Sequence, residues 1–211
     1  MKIQFDSNLD YQDRAINSIV DIFEGQEVCQ SNFSVVTHGA KGQRTINDLN
    51  DLGIGNRLEL LDDEILSNVQ NIQLKNGLSQ SKKLGSMDFS VEMETGTGKT
   101  YVYIKSIFQL NKRYGFTKFI IVVPSIAIKE GTKKTLDITS EHFKSIFDNV
   151  NYDYFIYDSS NLEQVRDFAT SSDIRIMVIN IDAFRKSFTD PSKDTKANII
   201  HRRNDRLNGQ K

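Results

Sequence analysis

From residue 88 to residue 180 the chain alternates short apolar runs with amphipathic stretches, and this alternation constrains the fold more than any other feature of the sequence. "KFIIVVP" and "IRIMVIN" are continuous in Ile and Val, the pattern of strands covered on both faces. "DFSVEM" and "YDYFIYD" are read as two further strands. "GKTYVYIKSIFQLNKRYG" has helical spacing and a stop at Gly115; "SIAIKEGTKKTL" and "SEHFKSIFDNV" read as helical pieces, and "SNLEQVRDFATS" as another helix. Strands alternating with helices of about 10–15 residues need crossover connections, so the predicted fold is α/β, with a mainly parallel sheet between two helical layers.

Upstream, Asp10 to Glu24 place Tyr11, Ala15, Ile16, Ile19, Val20 and Phe23 on one helical face. A Gly-, Asn- and Asp-rich stretch to Arg57 reads as loop with small pieces of structure. A second helix follows through Leu58, Leu61, Ile65, Val69 and Ile72, closed by Asn76-Gly77, and "SQSKKLGS" reads as a linker. The expected organisation is a helical and loop region over 1–87, the α/β domain over 88–188 and a polar tail over 189–211. At 211 residues and 38% apolar, the chain has the material for one core. The apolar runs are strand-sized, well short of the roughly 18 residues of a membrane span, and no secretory signal opens the chain. The single cysteine, Cys29, reads as a small buried residue and suits a reducing cytoplasm. A formal net charge of −1 provides no global basic field, so contacts with nucleic acid would depend on local positive strips.

The chemistry is carried by "METGTGKT", residues 93–100, between a predicted strand and a predicted helix. Backbone N–H groups of a tight glycine-rich turn at a helix N-terminus form a nest for phosphate. Thr95, Gly96, Thr97, Gly98 and Lys99 supply that nest, Lys99 the charge for the β- and γ-phosphates, and Thr100 the hydroxyl for Mg²⁺. The general pattern G-x-x-x-x-G-K-[ST] has Gly where this chain has Met93. The bland alternative is a glycine turn followed by a surface lysine. For the base, the Gln12 amide has the geometry to pair with adenine N6 and N7, and Phe5 or Tyr11 could stack on the ring. Read alone, Tyr11-Gln12 is equally a packed tyrosine beside an exposed glutamine.

"DYQDRAI", "ILSNVQNIQLKNGL", "FSVEMETGTGKTYVYIKSIFQLNKRYGFTKFIIVVPSIAIKEG" and "IMVINIDAF" together resemble the Res subunit of type III restriction–modification enzymes, which are superfamily 2 helicase-like ATPases. The resemblance covers most of residues 3–186. It implies a RecA-like P-loop NTPase domain, ATP and Mg²⁺ as ligands, double-stranded DNA as substrate and a methyltransferase (Mod) subunit as partner. It also explains Met93, because these helicases do not keep the first glycine. By the match, Gln12 falls in the Q-motif, Glu94 to Thr100 in motif I, Pro124-Ser125 in motif Ia, and Asn180 to Phe184 where motif Ib is expected. Motif Ia fits a DNA phosphate contact, since Ser125 opens a helix with free N–H groups and a hydroxyl. Lys129, Lys133 and Lys134 follow on the same segment, as phosphate contacts or as a solvated helix face.

The family's next element is an Asp-Glu pair on a strand, and it is not read in this sequence. Asp63-Glu64 lies upstream of the loop, in a helical segment. The polar tail is read as stopping short of that motif, leaving the sheet incomplete at its C-terminal end, so the chain is expected to bind ATP and hydrolyse it negligibly. Two alternatives stand beside this reading. One is a self-contained small P-loop NTPase or kinase with Asp158 or Asp182, each near the end of an apolar strand, as metal ligand. The other is a module that only binds nucleotide.

Overall fold

A computed structural model of the chain describes residues 9–35, 51–158 and 161–182. The elements run α1 (Asp10–Val20, extended by a 3-10 turn over Asp21–Phe23), β1 (Gln30–Val35), β2 (Asp51–Asn56), α2 (Asp62–Lys75), α3 (Lys99–Tyr114), β3 (Lys118–Val123), α4 (Ile126–Ile146), β4 (Tyr152–Ile156), α5 (Leu162–Thr170) and β5 (Ile174–Asn180). β3, β5 and β4 form a parallel sheet in that order, with Ile121 opposite Val178 and Phe155 opposite Met177. The predicted α/β class and parallel sheet are present, and the sheet is incomplete.

Alternation along the strands decides which side chains enter the core. Ile174, Ile176 and Val178 of β5 and Val123 of β3 turn one way, onto Tyr101, Ile104 and Phe108 of α3 and Leu136 and Phe143 of α4. The rings form a ladder: Tyr101 on Phe143 at 5.3 Å, Phe143 on Phe108 at 5.0 Å, and Phe108 on Phe147 at 5.2 Å. The far side of α3 packs on α1 through Val102, Leu110, Ala15, Ile16 and Val20. α3 is therefore enclosed between the sheet and α1. On the other sheet face Met177 and Ile179 are buried and Phe155 meets Phe168 of α5, yet Ile120 and Val122 of β3 stand 51% and 48% exposed.

The unfinished side of the sheet is β3. Arg175 N–H bonds Thr117 O and Ile181 N–H bonds Val123 O, so odd-numbered residues of β3 turn their peptide groups toward β5 and even-numbered ones turn outward. Asn56 takes up those of Lys118: its Nδ2 donates to Lys118 O at 2.7 Å, and its Oδ1 accepts from Lys118 N at 3.0 Å. Beyond that point, no described strand pairs with the outer edge of β3.

Several expectations need correction. "DFSVEM" is irregular and largely exposed, because none of the described strands pairs with it and a strand without a neighbour has no ladder to stabilise it. The two helical pieces after Ser125 are one helix, α4, continuous through Gly131 and the threonines that follow. In the stretch before Arg57, read as loop with small pieces of structure, those pieces are β1 and β2, paired antiparallel with Phe33 across Gly53; a Cβ there would come within 2.4 Å of the ring. Glycine opposite an aromatic makes a poor strand signal in sequence although the pair packs well. On α1, Gln12 is 7% exposed and Tyr11 is 41% exposed, the reverse of a packed tyrosine and a solvated glutamine. Leu58 and Leu61 precede α2 and are exposed, and Cys29 is only half-buried, with its Sγ 3.6 Å from Arg57 O.

Phe143→Ala removes the middle of the ring ladder and should lower unfolding free energy by about 3–5 kcal/mol in urea titration, whereas Ile138→Ala, 42% exposed on the same helix, should be near neutral. A pH effect follows from His142 of α4. Burial first, and the Lys105 ammonium second, hold its pKa below the ordinary 6.5. The unfolded chain then takes up the proton before the folded one, so this contribution is present above the ordinary histidine pKa and is lost as pH falls below it. His142→Gln should flatten the fall in stability between about pH 7 and about pH 5 relative to the parent chain.

Candidate functional site

α3 ends at Tyr114 and β3 starts at Lys118, so α3 runs antiparallel to the strand and returns its N-terminus to the carboxyl ends of the sheet. α4 starts at that same edge, directly after β3. Crevices at the carboxyl ends of parallel strands are where α/β folds place ligands.

At that edge residues 94–98 turn tightly, and the Thr97 hydroxyl closes the turn by donating to Glu94 O at 2.7 Å. Gly96 and Gly98 both adopt φ of +84°. Gly98 is glycine for a second reason, because a Cβ there would stand 2.7 Å from Gln12 Nε2. Lys99 opens α3, whose first turn carries no acidic side chain to fill the positive end of the helix. The Lys99 ammonium folds back and donates to Met93 O and Glu94 O, each at 2.7 Å. The loop's own carbonyls thus hold the charge at the mouth of the nest. Thr100 is half-buried in the next position.

Gln12 reaches this turn across 85 residues of sequence, its Nε2 donating to Thr97 O at 2.9 Å. The Tyr11 hydroxyl lies 3.5 Å from the same nitrogen, at the limit of a hydrogen bond. α1 and the loop are therefore brought together. Phe5 lies outside the described residues. A cavity of about 970 Å³ opens beside the loop, with Tyr11, Arg14, Val69, Phe89, Glu94 and Thr97 among its walls. That is the size of a small-molecule site.

Pro124 is exposed after β3, and Ser125 is the cap of α4, its Oγ accepting from Ile128 N at 3.3 Å. Lys129 is half-buried in the first turns of α4, with Lys133 and Lys134 exposed beyond it. Ser125 opens the helix as expected, and its hydroxyl is engaged as a cap. Asp158 and Asp182 follow β4 and β5 at the same sheet edge, both exposed; Asp182 N–H bonds Asn180 Oδ1 at 3.0 Å. The sequence's Asp63-Glu64 pair has a local explanation, since the Glu64 carboxylate accepts the Leu61 N–H at 2.8 Å and caps α2. Phe184 and the rest of the segment after Asp182 lie outside the described residues.

One contact of this region went unread in the sequence. Lys105 of α3, its side chain 9% exposed, meets the Asp13 carboxylate of α1 at 2.8 Å. Its signal was available, as a lysine among buried Ile104, Ser106, Ile107 and Phe108 demands a partner. Tyr101 shares a hydrogen bond of 2.8 Å with His142, and Tyr103 one of 3.0 Å with Thr132, so α3 is also tied to α4.

The class these features define is a RecA-like helicase domain: a parallel α/β sheet with a glycine-rich turn and lysine opening the helix at its carboxyl edge. The chain belongs to the family described as type III restriction enzyme, res subunit, which it matches over residues 7–205. It is 37% identical over 153 residues to the Type III restriction-modification enzyme EcoP15I Res subunit of Escherichia coli, covering 63% of this chain and 16% of that protein. It is 30% identical over 195 residues to the EcoPI Res subunit of Escherichia phage P1, covering 83% of this chain and 19% of the relative. A third relative, the StyLTI Res subunit of Salmonella typhimurium, is 37% identical over 108 residues, 50% of this chain and 10% of that one. The chain thus spans less than a fifth of the length of these curated relatives.

Gly98→Ala should cost about 1–2 kcal/mol in urea titration from its left-handed backbone alone, and the side-chain amide signal of Gln12 should shift as the new methyl displaces it. Gly85→Ala, which meets nothing within 4 Å, is the neutral control.

Proposed function

We propose that this chain is the ATP-binding, DNA-engaging part of a type III restriction motor, acting in ATP-dependent DNA translocation and restriction together with the remainder of a Res subunit. The observation that carries the reading is the turn at 94–98 with Lys99 held at its mouth by two backbone oxygens. In this reading an incoming triphosphate takes the ammonium from Met93 O and Glu94 O, and the N–H groups of Thr95 to Lys99 surround it. The Gln12 amide has two hydrogens on Nε2. One stays with Thr97 O, and adenine N7 takes the other in place of the Tyr11 hydroxyl, with Oε1 accepting from N6. Tyr11, exposed beside the cavity, covers the ring, with Phe5 as the other aromatic candidate.

Mg²⁺ fits here as a companion of the nucleotide, supplying charge neutralisation between the phosphates. Thr100 is the side chain offered to it. Among the described residues no group of three His, Cys, Asp or Glu side chains lies together to hold a metal without nucleotide. Turnover then depends on carboxylates and an arginine finger from other parts of the motor; the finger alone is worth roughly 10³–10⁵ in rate. The chain by itself is expected to bind ATP and hydrolyse it negligibly.

Pro124, Ser125 and Lys129 are the proposed contacts to double-stranded DNA, with peptide N–H groups at the α4 N-terminus facing phosphate and Lys129, Lys133 and Lys134 adding charge. The relatives' names are those of Res subunits of restriction-modification enzymes, and we extend to this chain a methyltransferase (Mod) partner and a cytoplasmic place of work. No described helix is long and apolar enough to cross a membrane. In this division residues 1–87 carry the base-reading helix and 88–188 the RecA-like half.

Calorimetric titration tests the reading. Mg·ATP should bind, Mg·GTP should bind more weakly, and Lys99→Ala should abolish both; binding undiminished in Lys99→Ala would overturn the phosphate-loop assignment. A self-contained NTPase remains the second reading because Asp158 and Asp182 share the loop's edge of the sheet. Steady turnover by this chain, lost in Asp158→Asn or Asp182→Asn, would favour it over the first.

A further inference from the structure

The Asp13–Lys105 pair joins the two elements that the site must hold in register. An ammonium enclosed this far from water is costly, and a well-packed apolar pair of similar volume commonly stabilises a core as well or better. Stability alone is a weak reason for Lys105 to stand in the middle of α3. Its surroundings suggest another. Asp13 is the residue after Gln12, and Lys105 Nζ also lies 5.9 Å from the centre of the Tyr101 ring, two positions from Lys99. Between this pair and a second ion pair at the far end, Arg113 of α3 with Asp21 at 2.8 Å, the contact is apolar: Ala15, Ile16 and Val20 against Val102 and Leu110. Such contacts are non-directional and tolerate a helix that rolls or slides. The bond from Gln12 Nε2 to Thr97 O, at 2.9 Å, does not. The charge-assisted contact at the neighbouring residue, Asp13 with Lys105, supplies direction at the end of α1 next to the site, far from the Arg113–Asp21 pair.

We propose that Asp13 and Lys105 form a positioning pair that sets the roll and height of α1 on α3, so that the Gln12 amide meets both the phosphate loop and the nucleotide base. The inference rests on the reading of Gln12 as the base-contacting residue. Neither member of the pair touches nucleotide; both act through Gln12, and their loss therefore falls on base preference and spares the phosphate contacts.

The test uses the whole 211-residue chain and calorimetric titration with Mg·ATP, Mg·GTP and Mg·tripolyphosphate. The parent chain should prefer ATP to GTP by roughly tenfold, a preference that Gln12→Ala removes. Asp13→Asn and Lys105→Met should each bring the preference below about threefold while tripolyphosphate affinity stays within about twofold. Asp13→Glu, which keeps the charge, should recover part of it. An undiminished preference in Asp13→Asn and Lys105→Met overturns the positioning role. If Lys105→Met fails to fold, as judged by circular dichroism, Asp13→Asn decides alone, since that side chain is 41% exposed and its replacement leaves no cavity. A parent chain without base preference, or a preference that survives in Gln12→Ala, overturns the reading of Gln12 and the inference with it, and is distinguishable from the first failure.

Discussion

Helix α3 buries two opposite faces at once, and the site exists because both are occupied. Toward the sheet, Tyr101, Ile104 and Phe108 enter the ring ladder with Phe143 and Phe147. Toward α1, Val102 and Leu110 meet Ala15, Ile16 and Val20. The turn at 94–98 has little burial of its own and inherits its position from the helix it opens. Gln12 comes from the one face of α3 and the Ser125 helix from the other. The polar ties at the margins, Asp13 to Lys105 on one side and Tyr101 to His142 on the other, lie within about two turns of Lys99.

Where the hydrophobic period was clean, the fold was legible. Residues 99–180 alternate as read, and β5 is apolar because it is covered on both faces; β3, read the same way, departs from that expectation, since Ile120 and Val122 stand about half exposed on a face that no described element covers. "DFSVEM" shows where this reading stops. Its composition fits a strand, but strand formation needs a partner's backbone, and the outer edge of β3 at Ile120 and Val122 faces none of the described strands. The antiparallel pair β1–β2 before Arg57 was legible only as small pieces of structure, for the opposite reason. It has a partner and lacks composition, since Gly53 and Gly55 yield their side-chain volume to Phe33.

The site divided in a similar way. Glycine spacing identified the loop because positive φ at Gly96 and Gly98 is a backbone demand that few residues meet. Helical position put Ser125 at a cap. The orientation of Gln12 was beyond the sequence, as burying an amide is favourable only once Thr97 O is there to accept its hydrogen, and that carbonyl is 85 residues away. The Asp13–Lys105 pair spans 92 residues. A buried lysine signals the need for a partner without naming it.

The central claim is that α1 and the phosphate loop act as one nucleotide site. Hydrogen exchange read by mass spectrometry tests it directly, following peptides that cover residues 94–98 and the first turn of α1. Mg·ATP should slow exchange in both, and Mg·tripolyphosphate in the loop peptide alone. Protection of the loop with no change in α1 under Mg·ATP would contradict the claim, leaving a phosphate turn that merely lies beside a helix.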